Sequence, residues 1–180
     1  MDQFFTGRFG AVDSTAGPAS RQPTNECSAL TLASEITQYR GWLEHAIGAA
    51  ATARRTLGAA VSFAEEARDP DRLAHSLGFL GYVTVSAGNY GEVLALSDAA
   101  LSVRDAHPVV NAYGRMRRAE LLAAHGAKRE AQHSLILADS ASEAADGIEP
   151  PPSMYMPAEH RGTEWLASAL RRVDPDMVDA

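Results

Sequence analysis

The chain has 180 residues, a net charge of −7 at pH 7 and a pI near 5.3. Hydrophobic residues make up 46% and charged residues 22%, enough for a sizeable core and too apolar for global disorder. The acidic balance argues against a nucleic-acid footprint, and a single cysteine, Cys27, excludes an internal disulfide framework or a Cys-rich zinc site.

Residues 1–26 read as a flexible arm, interrupted by Gly10, Gly17, Pro18 and Pro23. The arm lacks the basic start and apolar run of a secretory signal, and no stretch is long and apolar enough to span a membrane, so a cytoplasmic protein is expected. Cys27 sits at the boundary of arm and helix and reads as a semi-buried helix-start residue rather than a reactive thiol.

From residue 27 the text is helical, with about 19% alanine in the whole chain and no persistent period-2 alternation. Between residues 27 and 146 the only prolines are Pro70 and Pro108, in the breaks RDPD (68–71) and DAHP (105–108). They divide the region into helix pairs at about 28–67, 72–105 and 109–145. A Pro-rich bend, IEPPPSMYMP, leads to a closing helix at 158–173, and 174–180 form an acidic tail.

Each pair holds one glycine at its centre: Gly48, Gly88 and Gly126. A glycine there can take positive φ, end the first helix and let the chain turn back. The flanks repeat with it. Seven residues before come Gly41, Gly81 and Ala119. Five after come Ala53, Val93 and Ala131; nine after, Leu57, Ser97 and Leu135; twelve after, Ala60, Ala100 and Ala138. Small residues at such positions let two helices approach closely.

This pattern resembles the tetratricopeptide repeat (TPR). The middle unit carries the likeness best, with Leu77, Leu80, Gly81, Gly88-Asn89-Tyr90 and Ala100. The resemblance implies an all-α fold: a right-handed superhelix of TPR-like antiparallel helix pairs with a C-terminal closing helix. Over 28–172, Gly41-Trp42, Pro150-Pro151-Pro152, Tyr155 and His160-Arg161-Gly162 are similar to the sensor half of actinobacterial Xre-family transcriptional regulators. That resemblance implies a regulatory module, linked to transcription or development, that binds a peptide, a protein or a small effector. The 26-residue arm cannot hold the family's helix-turn-helix domain, so no direct contact with nucleic acid is expected.

In stacked helix pairs the first helices line a concave face. Helical periodicity puts Glu35, Gln38, Trp42 and His45 on that face in the first unit, His75 and Tyr82 in the second, and Tyr113, Met116 and Glu120 in the third. Tyr155 would close the groove. Aromatics over polar groups suit an extended peptide or an apolar small molecule. The rival is that the aromatics simply fill a tight interior. Arg115 and Arg118 share a helix face and form a candidate docking point for phosphate or an acidic partner, unless they are an ordinary solvated face.

No catalytic, nucleotide or metal motif occurs; the lone Glu130-x-x-His133 lacks the second copy and the two further glutamates that a di-metal site needs. The expectation is therefore a binding module, not an enzyme, with no metal and no cofactor. Two alternatives stay open: a structural adaptor that self-associates as a homodimer through its end faces, and a protein of specialised metabolism, possibly enzymatic in the helical cavity.

Overall fold

The three central glycines lie in the left-handed region, with φ of +83° at Gly48, +73° at Gly88 and +78° at Gly126, in a computed structural model that describes residues 23–85, 88–149 and 151. Six helices follow from these turns and from the two proline breaks. They are α1 (Pro23–Ala46), α2 (Ala50–Ala67), α3 (Pro70–Thr84), α4 (Tyr90–Ser102), α5 (Pro108–Ala124) and α6 (Lys128–Glu143). The described residues are all-α. The arm before residue 23, Tyr155, the closing helix and the acidic tail lie outside them.

Two details differ from the expectation. The first helix starts at Pro23, inside the span assigned to the arm. Cys27 is exposed on α1 rather than semi-buried.

Local chemistry explains the helix starts. Pro70 and Pro108 each occupy the first turn, where a missing N–H costs nothing. The Asp69 carboxylate caps α3 by accepting from the Arg72 N–H at 3.0 Å, and it also accepts from the Thr31 hydroxyl at 3.1 Å, which ties α1 to the start of α3. Asn89 caps α4, accepting from the Glu92 N–H at 3.3 Å while its amide donates to the Glu92 carboxylate. His107 caps α5 through Nδ1, which accepts from the Val109 N–H at 3.1 Å. Its own backbone N–H donates to Asp71, so α5 is tied to the first turn of α3.

Each helix packs on the next in sequence from α1 to α4, α4 on α5 and α5 on α6. The first helices of successive pairs also touch, α1 on α3 and α3 on α5. All twelve residues that repeat around the turn glycines are buried. The core is thus built at close helix crossings. Two serines reinforce the crossings: Ser34 of α1 donates to the Ala60 carbonyl of α2 at 2.8 Å, and Ser134 of α6 donates to the Arg115 carbonyl of α5 at 2.8 Å.

Gly41 marks the tightest approach. A Cβ built there falls 2.7 Å from Leu57 Cγ, and Leu57 is fully buried. Gly58, in mid α2, has nothing within 4 Å. Gly41→Ala should therefore destabilise by about 1–3 kcal/mol despite its better helix propensity. Gly58→Ala should stabilise by about 0.5–1 kcal/mol. Urea unfolding of the two variants checks this; equal effects of one sign would refute the close crossing.

Candidate functional site

Two depressions open along the α1–α3–α5 side, and they share one wall, His75. The first is a cleft between α3 and α5, floored by Val93, Ser97 and Ala100 of α4, with a cavity volume of about 150 Å³. The second is a more open groove between α1 and α3, lined by Leu32, Ile36, Tyr39, Trp42 and Phe79 over Glu35, Gln38 and Arg72.

The α3–α5 cleft exists because small residues stand where larger ones would fill it. Gly78, Gly81 and Gly114 all line it. A Cβ at Gly78 meets nothing within 4 Å, whereas one at Gly114 falls 3.1 Å from Leu101. The walls are mostly apolar, with His75, Arg117 and Glu120 as the polar groups that can fix a ligand's orientation.

Arg117 is the most constrained of these. Its guanidinium lies 5.2 Å from the ring centres of both Tyr82 and Tyr113. Nε donates to the Tyr113 hydroxyl at 3.1 Å and Nη1 to the Glu120 carboxylate at 2.8 Å. Nη2 is left out of both bonds. Burial pulls the Arg117 pKa down, but its interactions with Tyr113 and Glu120 outweigh burial and hold it above the ordinary arginine value. The cleft therefore contains a permanent cation held by an aromatic pair and a carboxylate.

His75 is buried, with edge contacts to Phe79 at 5.0 Å and to Tyr113 at 5.8 Å. The Ser76 hydroxyl donates to Gln38 Oε1 at 2.9 Å, which turns the Gln38 amide nitrogen towards His75 Nδ1 at 3.3 Å. In this orientation Nδ1 accepts and the ring proton sits on Nε2. Burial first, and then the nearby Arg72 cation, lower the His75 pKa from 6.5 to about 4. The ring is neutral near pH 7. Arg72 is itself buried and pairs with the half-exposed Glu35 carboxylate.

The residues expected on the concave face divide as follows. Glu35, Gln38 and Trp42 line the α1–α3 groove, Tyr82, Tyr113 and Glu120 line the α3–α5 cleft, and His75 lines both. Trp42 stacks at 5.9 Å on Tyr39 and is partly exposed, so it does not fill the interior. His45 packs edge-on to Tyr82 at 5.5 Å, and its buried Nδ1 has no hydrogen-bond partner among the described residues. Met116 lies elsewhere, against Ala119, Leu122, Ala131 and Leu135 between α5 and α6. Tyr155 lies outside the described residues.

Arg115 and Arg118 lie on the other side of α5, in an open depression with Arg129, Glu130 and His133. Arg115 donates to Asn111 at 2.6 Å, and Arg118 pairs with Asp98 at 2.7 Å. Opposite charge is thus already present at this patch. Among the described residues no three His, Cys, Asp or Glu side chains gather into a metal-binding group, and no helix is long and apolar enough to cross a membrane.

Arg117, Tyr39, Phe79 and Arg72 are site residues that the sequence reading missed. The first three share one signal: each stands nine residues before its turn glycine. The lining face is rotated from the predicted one towards these positions, and away from Met116.

Comparison of the chain with protein-family models, with curated proteins and with solved structures finds no match.

The neutral His75 makes a pH prediction. An unfolded histidine takes up a proton as pH falls below 6.5, while the folded ring refuses it until about pH 4. The His75 contribution to stability is thus intact above 6.5 and is lost on the way down to about 4. At about 1.4 kcal/mol per pH unit, the loss is at most about 3.5 kcal/mol. Urea unfolding at neutral pH and in mild acid should show this slope in the wild type and a shallower one in His75→Phe. Identical slopes would contradict the assignment.

Proposed function

We propose that the chain is an effector-binding module of a regulatory protein, and that the effector occupies the α3–α5 cleft. The carrying observation is an apolar cleft kept open by glycine at 78 and holding a clamped guanidinium at 117. This chemistry suits a small molecule with an apolar body and an oxygen acceptor, such as a carboxylate, at one end.

In this proposal the helix pairs wind as a TPR-like right-handed superhelix. The common turn geometry and the packing of α1 on α3 and of α3 on α5 support it. The resemblance to the sensor halves of Xre-type regulators supports a regulatory role. A ligand wedged between α3 and α5 acts on the junction of the second and third pairs. By binding one inter-pair angle better than another, it shifts the population of a surface that a partner reads.

The test titrates the chain with decanoate and reads binding by native mass spectrometry and calorimetry. Gly78→Leu should fill the cleft and abolish binding while helical content stays unchanged, because the new side chain enters open space. Arg117→Met keeps the stem and removes the donors, and should weaken binding roughly 10- to 100-fold, the loss of a charge-assisted hydrogen bond worth about 1.5–3 kcal/mol. Binding by Gly78→Leu at wild-type affinity would refute the cleft.

A further inference from the structure

The longest helix of the described residues is turned inside out. Towards the body, α1 buries Ser34, Gln38 and Gly41. Most of its large apolar side chains go the other way: Leu32, Ile36, Tyr39, Trp42 and Leu43 are each between 43% and 62% exposed, and Ile47 in the turn that follows is 81% exposed. An ordinary surface helix does the reverse.

The spacing of these residues is specific. Positions 32, 36, 39 and 43 alternate steps of four and three, the repeat of a coiled-coil seam, with Ala29 and Ala46 extending it at each end. The seam together with Trp42 and Ile47 exposes apolar surface on the order of 600 Å², the upper end for one patch on a monomer. It is also close to one side of a standard interface, about 800 Å².

Charge selects the occupant. Taking 36 and 43 as the first apolar positions of successive heptads, Glu35 precedes the seam and Arg40 follows it on the opposite flank. In a parallel two-stranded seam, the residue at the first of these positions meets the partner's residue five places on. Glu35 then faces Arg40 of the partner subunit, twice by symmetry. Both groups have capacity left: Arg40 is 69% exposed beside Glu44, and Glu35 uses only Oε2 towards Arg72.

We propose that α1 is the interface of a homodimer in which two copies pair in parallel through the Leu32–Ile36–Tyr39–Leu43 seam. The interface lies beside the α1–α3 groove and does not include the α3–α5 cleft, so it does not depend on the effector proposal. Leu32, Ile36 and Tyr39 of the seam, with Trp42, also form the α1 wall of that groove, and the partner copy thus roofs it.

Light scattering during size-exclusion chromatography of the full chain at micromolar concentration tests this. The expected mass is twice the 19.1 kDa of one chain. Ile36→Glu with Leu43→Glu should raise the dimer dissociation constant roughly a hundredfold or more, because two exposed seam residues are replaced by like charges. Helical content should be unchanged, since both side chains are exposed and neither belongs to the buried core. Leu32→Cys in a Cys27→Ser background reads the direction: in the parallel seam the two new thiols face each other, and added oxidised glutathione takes up their two electrons and protons to leave a disulfide-linked dimer and two reduced glutathiones. A wild-type monomer would overturn the proposal, whether the seam is then covered by the chain's own ends or by another protein. A dimer that survives the double glutamate variant would overturn it too, and a dimer without the Leu32→Cys cross-link would overturn the parallel pairing.

Discussion

Helices in this protein cross where side chains stop at Cβ or before it. Gly41 lies against Leu57, Ala119 clusters with Ala131 of α6, and serines at two crossings donate to the carbonyl of the facing helix. This close approach sets the rest of the structure. It fixes the turn glycines, because helices this near need an abrupt reversal between them. It also limits the core. Alanines bury little area each, so burial is spread over many crossings instead of concentrated in a few large residues. Large side chains that cannot enter such crossings stay outside, and α1 carries the clearest case.

The same constraint creates the cleft. Gly78 and Gly114 continue the habit of small residues on α3 and α5, but there the two helices stand apart and α4 forms the floor. Removing side chains from a crossing gives contact, whereas removing them where helices diverge gives a cavity. The polar groups in that cavity are held by neighbours from more than one element: His75 by Gln38 of α1, and Arg117 by Tyr82 of α3 as well as by Tyr113 and Glu120 of its own helix.

Much of the fold was legible because helix crossing imposes a period on small residues. Glycine, alanine and their neighbours at fixed offsets from three turns marked twelve buried positions without any knowledge of contacts. The first-helix face was legible only to within about one residue. Arg115, Arg117 and Arg118 lie within four positions of sequence, yet helical geometry puts Arg117 in the cleft and the other two behind it. The offset that Arg117 shares with Tyr39 and Phe79 carried this information. The neutrality of His75 was not legible, because its causes, burial and the Arg72 cation, arise from tertiary packing. The outward turn of Trp42 was equally hidden: a tryptophan beside a crossing glycine suits either face of α1.

The clamp on Arg117 has an entropic side. An arginine normally loses up to about 2 kcal/mol of rotamer freedom when it is fixed. Here two tyrosine rings, a hydroxyl and a carboxylate have already fixed it, and folding has met that cost. Any molecule that binds to this guanidinium finds it immobile, and keeps the 0.5–1.5 kcal/mol or so that ordering a free side chain would take from its affinity. The tyrosines thus turn a flexible charge into a rigid reference point, and a ligand is selected by how well it matches a position that does not yield.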